Sequence, residues 1–225
     1  MTYNRLKNKR VLITQSEDYM GRDIKDLFEE EGAIVFADNR DLTPDIAAKN
    51  LIEEIGHIDI LIANLAAVNP KTSIEDTSDE IWNNGFDIMV HPLHRLVRSC
   101  IPQMKERKSG KIIVMGSATA LRGQKNRSSY SAARGAQVAY VKSVGIEVAS
   151  FNIQINLIAQ NFVENPSYYP PDYIKTEEFK NRMKEVPINR LATGREDAYL
   201  ALFLASDDSN FIVGQTFPFA GGWIV

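Results

Sequence analysis

Arg10-Val-Leu-Ile-Thr14, Ala33-Ile-Val-Phe-Ala37 and His57-Ile-Asp-Ile-Leu-Ile-Ala63 are short β-type runs separated by helical patterns. They are nearly continuous apolar stretches rather than alternating ones. A strand covered on both faces needs that composition, so the sheet is expected to be parallel, with helices on both sides. Between the first two runs, Met20 to Glu31 places Ile24, Leu27 and Phe28 on one helical face, and Gly32 stands where a residue just past a helix end belongs. Pro44 to Ile55 reads as the second helix.

The alternation continues. Asp79 and Glu80 follow Thr77 and Ser78 as acids in the first turn of a long helical region, where they complement the helix dipole, and Pro92 kinks or restarts it. Lys111 to Met115 is strand four, Ser128 to Ala149 a helix rich in Ala and Val, and Ile153 to Ile158 strand five. From Ala159 to Lys175 the periodicity is lost, and a long loop of this kind inside a compact domain is usually a binding loop or lid. Helical patterns resume near Glu177 and from Arg195 to Ala205, before a short strand around Gln215 to Pro218 and the tail Gly221-Gly222-Trp223. No repeat or linker interrupts residues 1–225. The expectation is one Rossmann-like, doubly wound α/β domain.

Composition narrows the function. The 225 residues are 44% hydrophobic and 24% charged, enough for one sizeable core. A net charge of -3, with Lys and Arg scattered among acids, gives no basic field for nucleic acid. The lone Cys100 lies in an apolar helical pattern and reads as a small buried hydrophobe in a reducing cytoplasm. No apolar run approaches the roughly 18 residues of a spanning helix, and the N-terminal segment lacks a signal-peptide core, so a cytoplasmic protein without membrane association is expected. His91 and His94 have no third ligand in view, and no metal is assigned.

Ligands of doubly wound sheets sit at the carboxyl ends of the strands, near the switch in strand order. Four pieces fall there: the turn Thr14 to Gly21, Ser117, the helix carrying Tyr130 and Arg134, and the loop Ala159 to Tyr169. Tyr130 and Arg134 are four apart and share a helix face. Taken singly, each residue has an ordinary explanation: a turn serine, a packing aromatic, a solvated arginine. Their joint placement points to a Ser/Tyr/Arg centre.

Thr14, Gly21, Ala63-Asn64, Ser117, Tyr130, Phe203-Leu-Ala-Ser206 and Gly221-Gly222 together resemble the short-chain dehydrogenase/reductase superfamily over essentially the whole chain. The departures from that pattern are informative. Where the superfamily has glycines one and five residues after the threonine, this chain has Gln15 and Tyr19. Tyr-x-x-x-Lys becomes Tyr130 and Arg134, the Pro-Gly after strand five becomes Gln160-Asn161, and the helix asparagine falls near Met89. This combination is similar to the halohydrin dehalogenases, a cofactor-independent branch of the superfamily, with His91-Pro92, Ala159-Gln160 and Tyr168-Tyr169-Pro170 closest to its B-type members.

The resemblance implies Ser117, Tyr130 and Arg134 as the catalytic set, no cofactor, and small haloalcohols, epoxides and halide or other small anions as ligands. The chemistry agrees with elementary acid–base behaviour. A phenol of pKa near 10 is a poor base at neutral pH, and a fixed guanidinium on the next turn favours its phenolate. Released halide needs a site, and successive amides near Asn161, Phe162 and Val163, with the Asn161 side chain, are expected to form an anion nest. Tyr19, Asn161 and Tyr169 occupy halide-site positions by resemblance, and Gln160 opens the loop. The same resemblance implies a tetramer packed through Pro92 to Arg107 and Ser128 to Ala149. The rival readings are an NAD(P)-dependent oxidoreductase, with Asp38 as the ribose partner, and a noncatalytic binding protein on the same scaffold.

Overall fold

The computed structural model describes residues 4–67 and 70–225. Its centre is a six-stranded, wholly parallel sheet in the order β2-β1-β3-β4-β5-β6. The strands are β1 (Arg10–Thr14), β2 (Ile34–Asp38), β3 (Ile60–Asn64), β4 (Gly110–Ser117), β5 (Ile153–Gln160) and β6 (Thr216–Phe219). Strand order reverses between β1 and β3, which opens a crevice at their carboxyl ends.

Every residue of β3 and β4 is buried, as continuous apolar runs require. On one face Leu12, Leu61, Val114 and Leu157 pack under α2 (Ala47–Ile55), α4 (His91–Arg107) and α6 (Ser128–Val148). On the other, Val11, Ile13, Ile62 and Ile113 pack under α1 (Gly21–Glu30) and α8 (Gly194–Ala205). β2 differs: it is one of the two edge strands, and Ile34 is exposed there.

The sequence boundaries hold with physical exceptions. β3 begins at Ile60 rather than His57: the Asp59 backbone still bonds to Arg10 and Lys111 on the neighbouring strands, while its carboxylate accepts from the Arg10 backbone N–H (2.8 Å) and pairs with His57 (2.7 Å), in a bend that precedes the strand. The helix expected from Pro44 starts at Ala47. Gly32 does follow the end of α1, with φ +86. Ser78 caps α3 (Asp79–Met89) by accepting from Ile81 N–H. Pro92 does not kink a continuous helix; α4 restarts at His91 with Pro92 in its first turn, where no N–H is needed. The long loop after β5 begins after Gln160 and includes a single 3-10 turn at Tyr173–Lys175, before α7 (Glu177–Met183). The short α5 (Thr119–Arg122) follows β4.

Among the described residues, no helix is long and apolar enough to cross a membrane and no metal-binding cluster occurs. Cys100 is fully buried, and burial pushes its thiol up to about 12, which fits the inert packing role read from sequence.

Candidate active site

A cavity of about 400 Å³ lies at the carboxyl ends of β1, β3, β4 and β5, and Ser117, Tyr130, Arg134, Tyr19, Gln160, Asn161, Phe162, Val163 and Tyr169 all line it. Residues from four separate stretches of sequence therefore meet in one place, although they do not all present their side chains in the same way.

Ser117 is the last residue of β4, and its Oγ shares a 3.0 Å hydrogen bond with Thr119 Oγ1 and accepts from the Thr119 N–H. Tyr130 and Arg134 lie on the buried face of α6. Arg134 Nη1 reaches the carbonyls of Leu65 (3.0 Å) and Met115 (2.9 Å) and Gln137 Oε1 (2.9 Å). Gln137 in turn donates to the carbonyl of Met89, the residue at the expected asparagine position. One guanidinium thus ties α6 to the ends of β3 and β4, which a freely solvated helix arginine would not do.

Burial alone would raise the Tyr130 phenol. The charge of Arg134 opposes this, and hydrogen bonds from Arg134, Ser117 and Tyr168 add to it, so the net pKa is below that of an ordinary tyrosine. The surrounding phenols move the other way. Burial raises Tyr19, with the Asp18 carboxylate adding to the effect, and burial also raises Tyr168 and Tyr169. Within a ring of tyrosines, one is set apart as a potential base.

The turn after β1 explains where Tyr19 comes from. Gln15 (φ +44) and Tyr19 (φ +51) both hold left-handed backbone, the conformation that glycine adopts most easily, at the two positions where glycine was expected from the superfamily pattern. The turn has kept its shape and gained side chains. Gln15 Oε1 accepts from Ala66 N–H (2.8 Å) while its Nε2 donates to the Ala66 carbonyl (3.1 Å), so this side chain spans the β1–β3 crevice. Asn64 Nδ2 closes the same gap by donating to the carbonyls of Gln15 and Asp18. Gly21 is retained for a steric reason: a Cβ there would lie 2.5 Å from the Gln15 carbonyl oxygen. The Tyr19 ring packs against Tyr168, with centroids 5.4 Å apart. Asp38 holds Arg40 with both carboxylate oxygens, at 3.1 and 2.7 Å.

The loop after β5 differs from the expected nest of three amides. Asn161 N–H donates to the Phe219 carbonyl (3.0 Å), since pairing with β6 continues past β5, and Phe162 N–H is taken by Asn161 Oδ1 (3.0 Å). Asn161 Nδ2 remains a buried donor without a partner among the described residues, and Phe162 is held at φ +59. Such a donor, beside an aromatic residue in left-handed backbone, is available to an acceptor or anion. The Gln160 side chain is directed elsewhere: its amide donates to Asp197 on α8. Tyr169 hydrogen-bonds Asn161 Oδ1 weakly, at 3.4 Å, and packs with Phe162, Phe179 and Trp223 in an aromatic cluster.

Two participants were not singled out by sequence. Tyr168, adjacent to Tyr169, carries the ring that packs on Tyr19 and a hydroxyl that bonds the Ala67 carbonyl and helps to lower the Tyr130 phenol. The sequence carried it only within the Tyr168-Tyr169-Pro170 resemblance, with no role attached, in a stretch without periodicity. Asp197, fully buried beneath Gln160, gave no signal at all, because an acid in the first turn of a helix is ordinarily exposed.

Fold and site together define an α/β enzyme scaffold with a Ser/Tyr/Arg centre at the strand switch. Residues 8–224 match the family model described as enoyl-(acyl carrier protein) reductase, and the chain belongs to that family within the short-chain dehydrogenase/reductase superfamily. It is 29% identical to dehydrogenase/reductase SDR family member 6 of Danio rerio, with 97% of this chain and 98% of that protein covered. It is 26% identical to the 3-oxoacyl-[acyl-carrier-protein] reductase FabG of Vibrio harveyi, over 96% and 98% of the two chains. A solved structure described as a dehalogenation enzyme superposes with a TM-score of 0.87 at 29% identity, covering 97% of this chain and 99% of that one.

Proposed function

We propose that this protein is a halohydrin dehalogenase, converting small vicinal haloalcohols to epoxides with release of halide and a proton, and catalysing the reverse opening of epoxides by small anions such as azide, cyanide or nitrite. The observation that carries the reading is the filled turn after β1. Gln15 and Tyr19 put side chains where the backbone would have to approach a dinucleotide pyrophosphate, and Gln15 bridges the crevice to Ala66. The residues present do not fit a nicotinamide dinucleotide.

In the forward reaction Ser117 and Tyr130 hydrogen-bond the substrate hydroxyl. Tyr130 as phenolate accepts its proton, the oxygen attacks the neighbouring carbon from the side opposite the carbon–halogen bond, and the C–O bond forms as the C–X bond breaks. Halide leaves with the bonding pair towards Asn161 Nδ2, between the aromatic edges of Phe162, Tyr19 and Tyr169. Tyr130 then returns its proton to solvent. Arg134, which cannot surrender its own proton, holds the phenolate throughout. General-base catalysis of this kind supplies on the order of 10² to 10⁴ in rate. The likeness to a dehalogenation enzyme at 29% identity supports the reading.

A second reading, an NAD(P)-dependent reductase, is favoured by the named relatives, which are reductases at comparable identity. The engagement of Asp38 by Arg40 speaks against Asp38 as a ribose partner. Mixing the protein with a bromohydrin in weak buffer without nicotinamide separates the two. Release of bromide and acid supports dehalogenation, whereas no release together with tight NADH binding overturns it.

The assembly is proposed to be a homotetramer packed through α4 and α6. On α6, Ala132 and Ala136 are only half-buried, Ala139 is exposed, and Ile146 has 83% of its surface open, a small-residue face with room for a second helix.

A further inference from the structure

We propose that Tyr168 is a positioning residue for the base: its single phenolic hydrogen points to the Ala67 carbonyl while Tyr130 is neutral and turns to the Tyr130 oxygen when that phenol ionises. The inference rests on the reading of Tyr130 as the base. Tyr168 Oη lies 3.0 Å from the Ala67 carbonyl, its hydroxyl helps to lower the Tyr130 phenol, and both residues line the cavity. A phenol has one hydrogen to give, so the two acceptors compete for it. A carbonyl is the better acceptor of the two while Tyr130 is protonated. A phenolate is the better one afterwards, because hydrogen bonds involving an ion are roughly twice as strong.

Tyr168 is held in place for this switch. Its N–H donates to Asn165 Oδ1 at 2.9 Å, the next N–H, of Tyr169, donates to the Asn165 carbonyl at 2.9 Å, and its ring rests on Tyr19. The hydroxyl therefore needs only to rotate, without movement of the loop. The charged and titratable groups that face the Tyr130–Tyr168 pair are Arg134 from α6, Tyr19 from the β1 turn with Asp18 behind it, and Arg127, whose guanidinium lies 5.7 Å from the Tyr130 ring centre. Burial raises the phenols of Tyr19 and Tyr168 while that of Tyr130 is lowered, so Tyr168 acts as a donor that follows the base and does not itself titrate. The consequence is a larger phenolate fraction near neutral pH than Arg134 alone would hold.

The test follows Tyr130 ionisation directly, by carbon NMR of protein labelled at the tyrosine ring carbon bearing oxygen. Tyr168→Phe keeps the ring against Tyr19 and removes the hydroxyl. The expected result is an upward shift of the Tyr130 titration that lowers the phenolate fraction about tenfold at a fixed pH below it. Bromohydrin turnover should fall in parallel at neutral pH and recover at high pH. Tyr199→Phe, at an exposed phenol on α8 outside the cavity, serves as the control and should leave the Tyr130 titration unmoved. In the unmodified protein, the Ala67 carbonyl carbon should shift with the same apparent pKa as Tyr130, a readout that needs no variant. An unshifted Tyr130 titration in Tyr168→Phe, equal shifts in both variants, or an Ala67 carbonyl blind to Tyr130 ionisation would each overturn the proposal. If the unmodified protein released no bromide, the dehalogenase reading would fail while these titrations still decided the role of Tyr168.

Discussion

Arg134 and Tyr130, one turn apart on α6, are both buried, with the guanidinium carbon 5.2 Å from the centre of the phenol ring. Two polar side chains placed in a protein interior at that distance stabilise each other's charged forms, and the net effect on Tyr130 is to favour phenolate against its burial. The pair also has a fixed geometry, because Arg134 is tied to the ends of two strands.

If Tyr130 is the base, Tyr130→Phe should lower turnover by about 10² to 10⁴. Bromide affinity should be nearly unchanged, since the anion site is built from the loop after β5. Bromide release under saturating bromohydrin, alongside a bromide titration, measures both. Activity that persists would assign the base elsewhere.

Arg134→Lys separates charge from shape. Lysine is a point charge on a flexible stem and cannot span the Leu65, Met115 and Gln137 oxygens together. The phenolate is then held less firmly, so the rise of activity with pH should move to higher pH. The freed carbonyls should cost on the order of 1 to 3 kcal/mol of stability. A pH profile matching the parent protein would remove Arg134 from control of the phenol.

The same two residues indicate how much was legible in sequence. Ser117, Tyr130 and Arg134 were readable because β4 is a continuous apolar run ending in a hydroxyl and because helical spacing alone aligns positions four apart. β1 was readable to the residue for a similar reason. β3 was not, because Asp59 looks like one polar interruption of a strand yet spends its carboxylate on Arg10 and His57. The loop after β5 resisted for want of any period. Which of two neighbouring tyrosines turns to the base is decided by the Asn165 turn, and Gln160 is drawn away by Asp197, a partner 37 residues on. Long-range polar pairs of this kind leave no local pattern.

Asn161→Asp tests the anion site with little change of shape. The variant keeps an oxygen to accept from Phe162 N–H, so the strained backbone at Phe162 retains its support. It replaces the buried amide donor with a carboxylate. Bromide affinity should fall at least tenfold at neutral pH, the loss of a hydrogen bond to an ion being worth about 1.5 to 3 kcal/mol. Trp223, whose ring lies 5.9 Å from that of Phe162, provides a fluorescence signal for the titration. Unaltered bromide binding would move the halide away from Asn161.

Asp197 provides a prediction about stability. Burial raises its carboxyl to about 7, although the Gln160 amide opposes the shift, and Oδ1 has no partner among the described residues. The unfolded value is near 4, so between about pH 4 and 7 the folded chain holds a proton that the unfolded chain has lost. The stability associated with that proton is fully present below about pH 4 and is lost as pH rises through about 7, by an amount on the order of a few kcal/mol. Asn at this position still accepts from Gln160 and never ionises. Asp197→Asn should therefore match the parent protein at about pH 3.5 and exceed it at pH 8, with denaturant midpoints at the two pH values giving the comparison. Equal midpoints at pH 8 would mean that Asp197 is ionised there without cost, and that a further group stabilises its charge.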